Sequence, residues 1–170
     1  FLTASGCTFA VNSGLAGADL KVSGVSASSN ISLVSAGGLL ISGDVSNSAG
    51  TAVLTAGNSG SAAVNLSGGA DVNVVGNLTV NSGVVSLGAG SVLTTTTGDV
   101  FLQSNFAGNA LNLSLAAGAQ INAAAATGDI FFNPSAAGAI TVTGGAAAGL
   151  LNAGNTVSLR GGAVDVNVNQ

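Results

Sequence analysis

The chain has 170 residues, of which 47% are hydrophobic but only 5% charged and 4% aromatic, and its formal net charge is −4. Nucleic-acid binding depends on a basic surface that neutralises phosphates. This chain has only two Lys or Arg residues, so nucleic-acid binding is excluded as its function. The apolar stretches are shorter than the ~20 residues of a membrane-spanning helix, and the sequence therefore predicts no membrane insertion.

Short segments of alternating aliphatic and polar residues recur along the chain, as is typical of half-buried β-strands. In chain order they are residues 19–22, 30–33, 71–74, 77–80, 99–102, 129–132, 139–142, 156–159 and 163–166. Glycine follows most of them and supplies the backbone conformations that tight corners require. Because glycine and β-branched residues are poor helix formers, the sequence predicts an all-β fold with essentially no helix.

The spacing of the aspartates indicates how these strands repeat. The residues concerned are Asp19, Asp44, Asp71, Asp99, Asp129 and then Asn155. They follow one another at intervals of 25, 27, 28, 30 and 26 residues, which is typical of a repeat architecture with one coil per period. We therefore predict that these residues form a structural ladder in a parallel β-helix, or β-solenoid, of about six coils of roughly 25–30 residues. It forms one domain over residues 1–170, either complete or a segment of a longer protein.

A β-sandwich is the alternative fold, because it also has short strands at intervals of roughly 8–12 residues. The chain has no Trp, no Tyr and a single Cys, so the residues that commonly hold a sandwich core are missing. In a solenoid, by contrast, aliphatic ladders fill the bore, while Asn, Ser and Thr ladders share hydrogen bonds outside. Right-handed coils are expected from the general preference of parallel crossover connections.

Three segments carry a family resemblance. They are Gly76-Asn77-Leu78-Thr79-Val80, Gly98-Asp99-Val100-Phe101-Leu102 and Gly128-Asp129-Ile130-Phe131-Phe132. In these segments the chain resembles the repeat region of filamentous-haemagglutinin-like and autotransporter-passenger adhesins of Gram-negative bacteria, and the similarity covers nearly the whole sequence. The resemblance implies a right-handed β-helix that is exported to the cell surface and serves in adhesion or as a fibre shaft. The chain departs from the family's two-partner secretion domain, which carries Asn-Pro-Asn motifs, because it has only Asn133-Pro134-Ser135.

The sequence predicts no catalytic, cofactor-binding or metal-binding residues. Catalysis on a β-helix needs clustered carboxylates with a basic residue or a metal, whereas Lys21 and Arg160 lie near opposite ends of the sequence. Residues 68–71, Gly-Gly-Ala-Asp, lack the third glycine of a calcium-binding Gly-Gly-x-Gly-x-Asp repeat. We interpret them as a corner that leads into a strand.

Cys7 has two interpretations. Small residues precede it, as they precede the cysteine of a lipoprotein signal, and on this interpretation Cys7 is a lipid anchor. The favoured alternative places Cys7, Phe9 and Val11 on one buried face of a strand, with the cysteine acting as a small hydrophobic residue.

These features favour a non-enzymatic structural or adhesive protein at the bacterial cell surface or outside the cell, such as a fibre or adhesin shaft with a host-surface or matrix receptor. The alternative is a self-assembling subunit of an extracellular filament, either a stacked solenoid or amyloid-like. It is motivated by residues 163–168, which still alternate as a strand, since open sheet edges must be covered or paired. The partners would then be copies joined end to end, or further repeats of the same chain. A polysaccharide-processing β-helix enzyme is a remote alternative.

Overall fold

A computed structural model describes residues 3–57, 62–104, 110–133, 138–144 and 150–168. Over these ranges the chain consists of 21 short β-strands joined by corners and contains no helix, which confirms the all-β prediction. The same ranges hold no helix long and apolar enough to cross a membrane.

The strands are three to five residues long. In chain order they are β1 (Thr3–Gly6), β2 (Phe9–Ser13), β3 (Leu20–Val22), β4 (Gly24–Ala27), β5 (Ile31–Ser35), β6 (Leu39–Ile41), β7 (Val45–Asn47), β8 (Ala52–Thr55), β9 (Ala63–Leu66), β10 (Val72–Val74), β11 (Leu78–Asn81), β12 (Val84–Leu87), β13 (Val92–Thr95), β14 (Val100–Gln103), β15 (Leu111–Leu115), β16 (Gln120–Ala123), β17 (Ile130–Asn133), β18 (Ile140–Gly144), β19 (Leu150–Ala153), β20 (Val157–Leu159) and β21 (Val164–Val168). All nine segments predicted from the sequence are strands, each beginning one residue later than predicted.

The strands form three parallel sheets of seven strands, and each strand pairs with the strands three before and three after it. The first sheet runs from β1 to β19, the second from β2 to β20 and the third from β3 to β21. Each coil therefore contributes one strand to every sheet, and the chain winds through about six turns. This topology is the predicted β-solenoid and excludes the sandwich, whose sheets are antiparallel.

The coils differ in length. The equivalent positions in the second sheet are Phe9, Ile31, Ala52, Leu78, Val100, Ile130 and Val157. Successive positions are 22, 21, 26, 22, 30 and 27 residues apart, so the predicted period of 25–30 describes only the longer turns. The corners account for the difference, because one residue joins β3 to β4 whereas residues 124–129 join β16 to β17.

Aliphatic side chains fill the bore of the solenoid. On β8, for example, Ala52 and Leu54 are fully buried, whereas Val53 and Thr55 between and beside them are partly exposed. One inward column consists of Leu33, Leu54, Val80, Leu102 and Phe132, and all five side chains are 0% exposed. Equivalent residues of successive coils thus stack on one another, and burial of these columns supplies the hydrophobic stabilisation of the fold.

A tight turn recurs where the third sheet passes to the first. Gly69, Gly90 and Gly118 occupy it in three successive coils, with φ of +76°, +71° and +72°. Glycine adopts this left-handed conformation without a steric penalty, which explains its recurrence there. The prediction that residues 68–71 form a corner leading into a strand is confirmed, since β10 begins at Val72.

Candidate functional site

Side-chain oxygens at the starts of strands connect each coil to the next. In seven places Oδ1 of an Asp or Asn accepts a hydrogen bond from the backbone N–H of the equivalent residue one coil further on. The acceptor and donor residues are Asp19 and Gly38 (3.0 Å), Asn30 and Thr51 (2.9 Å), Asp44 and Asp71 (3.1 Å), Asp71 and Val92 (2.9 Å), Asn77 and Asp99 (3.0 Å), Asp99 and Asp129 (2.9 Å), and Asp129 and Thr156 (2.8 Å). We call these contacts the corner ladders, because every acceptor directly precedes a strand.

The predicted Asp/Asn ladder is distributed over three corners. Asp19 precedes the third sheet, and Asp44 and Asp71 precede the first sheet. Asp99 and Asp129 precede the second sheet. Asn155 joins this last corner, where its Nδ2 donates to Oδ1 of Asp129 at 2.9 Å. The structure therefore brings together two groups of the predicted residues and leaves Asp19 apart, because turns of unequal length carry evenly spaced residues to different corners.

Asn30 and Asn77 are ladder residues that the aspartate spacing did not reveal. Both directly precede second-sheet strands, in the position that Asp99 and Asp129 occupy in later coils. The sequence does contain a local pattern that indicates these two residues: each is a polar residue with a side-chain oxygen immediately before an alternating segment. Carboxylates and amides both offer an acceptor oxygen, so either can bind the backbone N–H of the next coil.

The corner ladders need an oxygen but not a charge, and this leads to a first prediction. We expect Asp99→Ala to lower the free energy of unfolding by about 1–2 kcal/mol, because the backbone N–H of Asp129 loses its acceptor. Asp99→Asn keeps Oδ1 and should change the stability by less than about 0.5 kcal/mol. Urea denaturation followed by circular dichroism measures both values.

Asp165→Ala is the matched control for this prediction. Asp165 is exposed on β21, and no hydrogen bond to its carboxylate is found within the described residues. Its removal should leave the denaturation midpoint unchanged. If Asp99→Asn destabilised the protein as much as Asp99→Ala, the charge would be the essential property and our account of the corner ladders would be wrong.

Ladders of neutral groups also cover the outer face of the second sheet. Gln103 Nε2 donates to Asn81 Oδ1 at 2.7 Å, and Asn81 Nδ2 donates to Thr55 Oγ1 at 3.2 Å. In the neighbouring column the rings of Phe101 and Phe131 stack with their centroids 5.0 Å apart and an interplanar angle of 11°. Outward side chains thus bind along the solenoid axis, as the sequence predicted for amide ladders.

The two basic residues of the chain lie in different coils. Lys21 lies on β3 in the first coil, and Arg160 directly follows β20 in the last. Within the described ranges there is also no group of three or more His, Cys, Asp or Glu residues that could hold a metal ion. The chemistry visible at the corner ladders is hydrogen bonding between coils.

The prediction that Cys7 is buried is wrong. The residue lies in the bend between β1 and β2, and its side chain is exposed. The corner interrupts the alternation, so that Phe9 and Val11 pack against the core while Cys7 does not. Cys7 instead borders an open groove of about 450 Å³ that is otherwise lined by Ala27, Asn47 and several serines. Its role as a lipid anchor stays a prediction.

In the last coil of the given sequence, apolar side chains that face the interior of the solenoid are partly exposed. Val157 and Leu159 of β20 are each 36% exposed, and Val164 and Val166 of β21 are 47% and 49% exposed. Their partners one coil earlier are Ile130, Phe132, Ile140 and Val142, which are at most 1% exposed.

The strand topology and the corner ladders define the class of this protein: it is a parallel β-solenoid with three strands per coil. Comparison of the chain with protein-family models, curated proteins and solved structures gives no match. The resemblance to surface adhesins therefore stays a prediction from the sequence.

Proposed function

We propose that this chain is a non-enzymatic structural segment of an extracellular fibre, such as the shaft of a bacterial cell-surface adhesin. One observation carries the proposal: the same three sheets run through every described coil from β1 to β21. Backbone hydrogen bonds therefore join each coil to the next on all three sides, and the corner ladders add at least one side-chain contact between each pair of successive coils. With a strand spacing of ~4.8 Å, six turns give a rod segment roughly 30 Å long.

The small number of charged side chains supports this proposal. The sequence has only eight charged residues, six Asp and two Lys or Arg, so Ser, Thr, Asn and Gly supply most of its polarity. Charge normally keeps proteins soluble and prevents self-association. A sparsely charged solenoid suits a protein that packs against copies of itself, a matrix or a host-surface receptor.

A subunit of a self-assembling extracellular filament is the second candidate function. The sparse charge of the chain favours it, because only eight of the 170 residues are charged and charge normally prevents self-association. In this form the coil-to-coil contact within the chain is repeated between chains, which resembles the stacking of amyloid. No observation favours polysaccharide processing, which stays the remote alternative.

Immunogold electron microscopy of the source cells tests the proposed function. Antibodies raised against the 170-residue polypeptide should label the surface of intact cells, or fibres that extend from it. Permeabilised cells are the matched control and should show little additional labelling inside. Labelling that appears only after permeabilisation would overturn the extracellular proposal.

A further inference from the structure

We propose that the outer face of the second sheet binds a neutral glycan, with its sugar rings lying against the stacked phenyl rings of Phe101 and Phe131. The inference rests on the adhesive form of the proposed function and deepens it, because it names the chemical class of the receptor. Three features of the described coils carry it: an outward aromatic pair, free hydrogen-bonding groups on both sides of the pair, and flanking charges of both signs.

Phe101 and Phe131 are the only described aromatic residues on the outside of the solenoid. Each is partly exposed, whereas Phe132 is fully buried and Phe9 packs against the core. Their rings stack with centroids 5.0 Å apart. They project from the paired parallel strands β14 and β17, so the pair has a fixed position. A ligand would therefore meet a preformed apolar surface, and little conformational entropy of the protein would be lost when it binds.

The fold does not require aromatic residues in this column. Ser32, Val53 and Thr79 occupy the equivalent outward positions of three earlier coils. These coils have the same parallel pairing, so a smaller side chain at this position is compatible with the solenoid. Aromatic side chains are enriched where proteins bind partners, because each offers a large contact area at a low cost in conformational entropy. A bound ligand would cover the ring surface that remains exposed.

Polar side chains flank the aromatic pair on both sides. Side chains two residues apart in a strand lie on the same face, about 7 Å from one another. The flanking residues are all partly exposed and are, in pairs, Asp99 with Gln103 and Asp129 with Asn133. Two successive coils thus present the same series of groups, namely a carboxylate, a phenyl ring and a side-chain amide.

These flanking groups have unused hydrogen-bonding capacity. Gln103 donates from Nε2 to Oδ1 of Asn81, and no partner of its own Oε1 is found within the described residues. Within the same ranges, the side-chain amide of Asn133 and the Oδ2 atoms of Asp99 and Asp129 also have no hydrogen-bond partner. Acceptors therefore remain on both sides of the rings, with an amide donor on one side.

A sugar ring has the complementary chemistry. Its C–H groups give it an apolar face, and the hydroxyl groups around its edge both donate and accept hydrogen bonds. The apolar face matches the phenyl rings, and the hydroxyl groups reach the carboxylates on one side and the amides on the other. Four residues of extended strand span roughly 13 Å, so the patch is wide enough for a short oligosaccharide. Small-molecule sites commonly combine an apolar surface with a few polar groups in this way.

The flanking charges favour a neutral ligand over an ionic one. Two carboxylates, those of Asp99 and Asp129, lie on one side of the aromatic pair. On the other side the register places Arg160 beside Asn133, because the pairing of β20 with β17 continues into the backbone hydrogen bond from Arg160 to Phe132 (3.2 Å). A polyanion would be repelled by the carboxylates and a polycation by the guanidinium. Hydroxyl groups form favourable hydrogen bonds with both.

Isothermal titration calorimetry on the unmodified polypeptide tests the inference. The probes are the neutral oligosaccharides cellohexaose, maltohexaose, mannohexaose and N-acetylchitohexaose, with heparin as a polyanionic comparison. We expect saturable binding of at least one neutral probe, with less than about a twofold change in affinity between low and high salt, because an uncharged ligand is not screened. Binding of heparin alone, or of no probe at millimolar concentration, would overturn the inference.

Paired variants test whether the aromatic column is the binding site. F101A/F131A should weaken binding of the neutral probe at least about tenfold, because both ring contacts are lost. Q103A/N133A should weaken it at least about threefold through loss of the amides. Val53→Ala is the matched control, because it shortens a side chain of the same column outside the patch, and it should bind like the unmodified protein.

Circular dichroism establishes that each variant is folded. If F101A/F131A does not fold, F101L/F131L keeps apolar bulk in the column but lacks the rings, and it should weaken binding at least about threefold. Unchanged affinity in a folded variant without the two rings would place the glycan elsewhere and overturn the inference.

The failure of this inference is distinguishable from the failure of the proposed function. Absence of glycan binding, with immunogold labelling of intact cells, would leave the surface shaft in place and remove only the glycan. Labelling confined to permeabilised cells would instead remove the extracellular function, whereas the titration would still report glycan binding by the purified polypeptide.

Discussion

Replacing Gly43 with alanine is expected to destabilise the solenoid by about 3–5 kcal/mol, a large share of the stability of a domain of this size. Gly43 lies in the corner between β6 and β7, where the chain passes directly over the preceding coil. A Cβ atom at this position would overlap the backbone carbonyl oxygen of Ser23 and lie 2.7 Å from its carbonyl carbon. Backbone atoms cannot rotate away as a side chain can, so the two coils must separate.

Separation of these coils breaks contacts that hold the corner together. The backbone N–H of Ser42, the residue before Gly43, donates to the carbonyl oxygen of Val22 at 2.8 Å. On the other side of Gly43, the backbone carbonyl of Asp44 accepts the N–H of Val25 at 2.9 Å. A local shift therefore costs sheet hydrogen bonds as well as packing, which is why we expect an effect of this size.

Gly14→Ala is the control for Gly43→Ala. A Cβ atom at Gly14 has no neighbour within 4 Å, and the backbone of this residue is not in the left-handed region. This variant should be neutral or gain up to about 1 kcal/mol, because alanine restricts the unfolded chain. The midpoints of urea denaturation measure both changes, and equal midpoints for the two variants would contradict the close approach of the coils at Gly43.

Replacing Leu54 with aspartate is expected to prevent stable folding. Leu54 is 0% exposed in the bore, where its column neighbours are Leu33 and Val80. A carboxylate at this position would be surrounded by aliphatic side chains, and an unpaired buried charge costs several kcal/mol. We expect a loss above about 4 kcal/mol, and the milder Leu54→Ala should lose about 2–5 kcal/mol through its cavity.

Val53→Asp makes the same chemical change on the adjacent residue. Val53 points outward on β8, and its column neighbours are Ser32 and Thr79. We expect a loss below about 1 kcal/mol, because the carboxylate remains in contact with water. Thermal unfolding monitored by circular dichroism compares the two variants. A larger effect at Val53 than at Leu54 would mean that the faces of β8 are assigned the wrong way round.

Local patterns predicted the strands of the second and third sheets better than those of the first. The nine predicted segments include five strands of the second sheet and three of the third, but only β10 of the first. First-sheet strands such as β4, Gly24–Ala27, alternate small residues, with Val25 and Ala27 inward and Ser26 outward. Such segments have weak periodicity, and pairing with both neighbouring coils makes them strands.

The aspartate spacing predicted the number of turns but not the positions of the aspartates around the coil. At all three corners a backbone N–H is present at the start of the strand, so an aspartate at any of them can accept a hydrogen bond from the next coil. Which corner it occupies depends on the lengths of the turns, and these range from 21 to 30 residues. Local sequence did not reveal those lengths, which depend on how each corner packs against the coil beneath it.

The sequence by itself determined the fold class and the identity of the strands with clear alternation, because period-two hydrophobicity is a local property of the backbone. It also determined the sparse charge on which the proposed structural function depends. Only the tertiary structure decided the three-sheet cross-section, the partners of Asp19, Asp99 and Asp129, and the exposure of Cys7. These features depend on contacts between residues about 20–30 positions apart, and such contacts exist only once the coils are stacked.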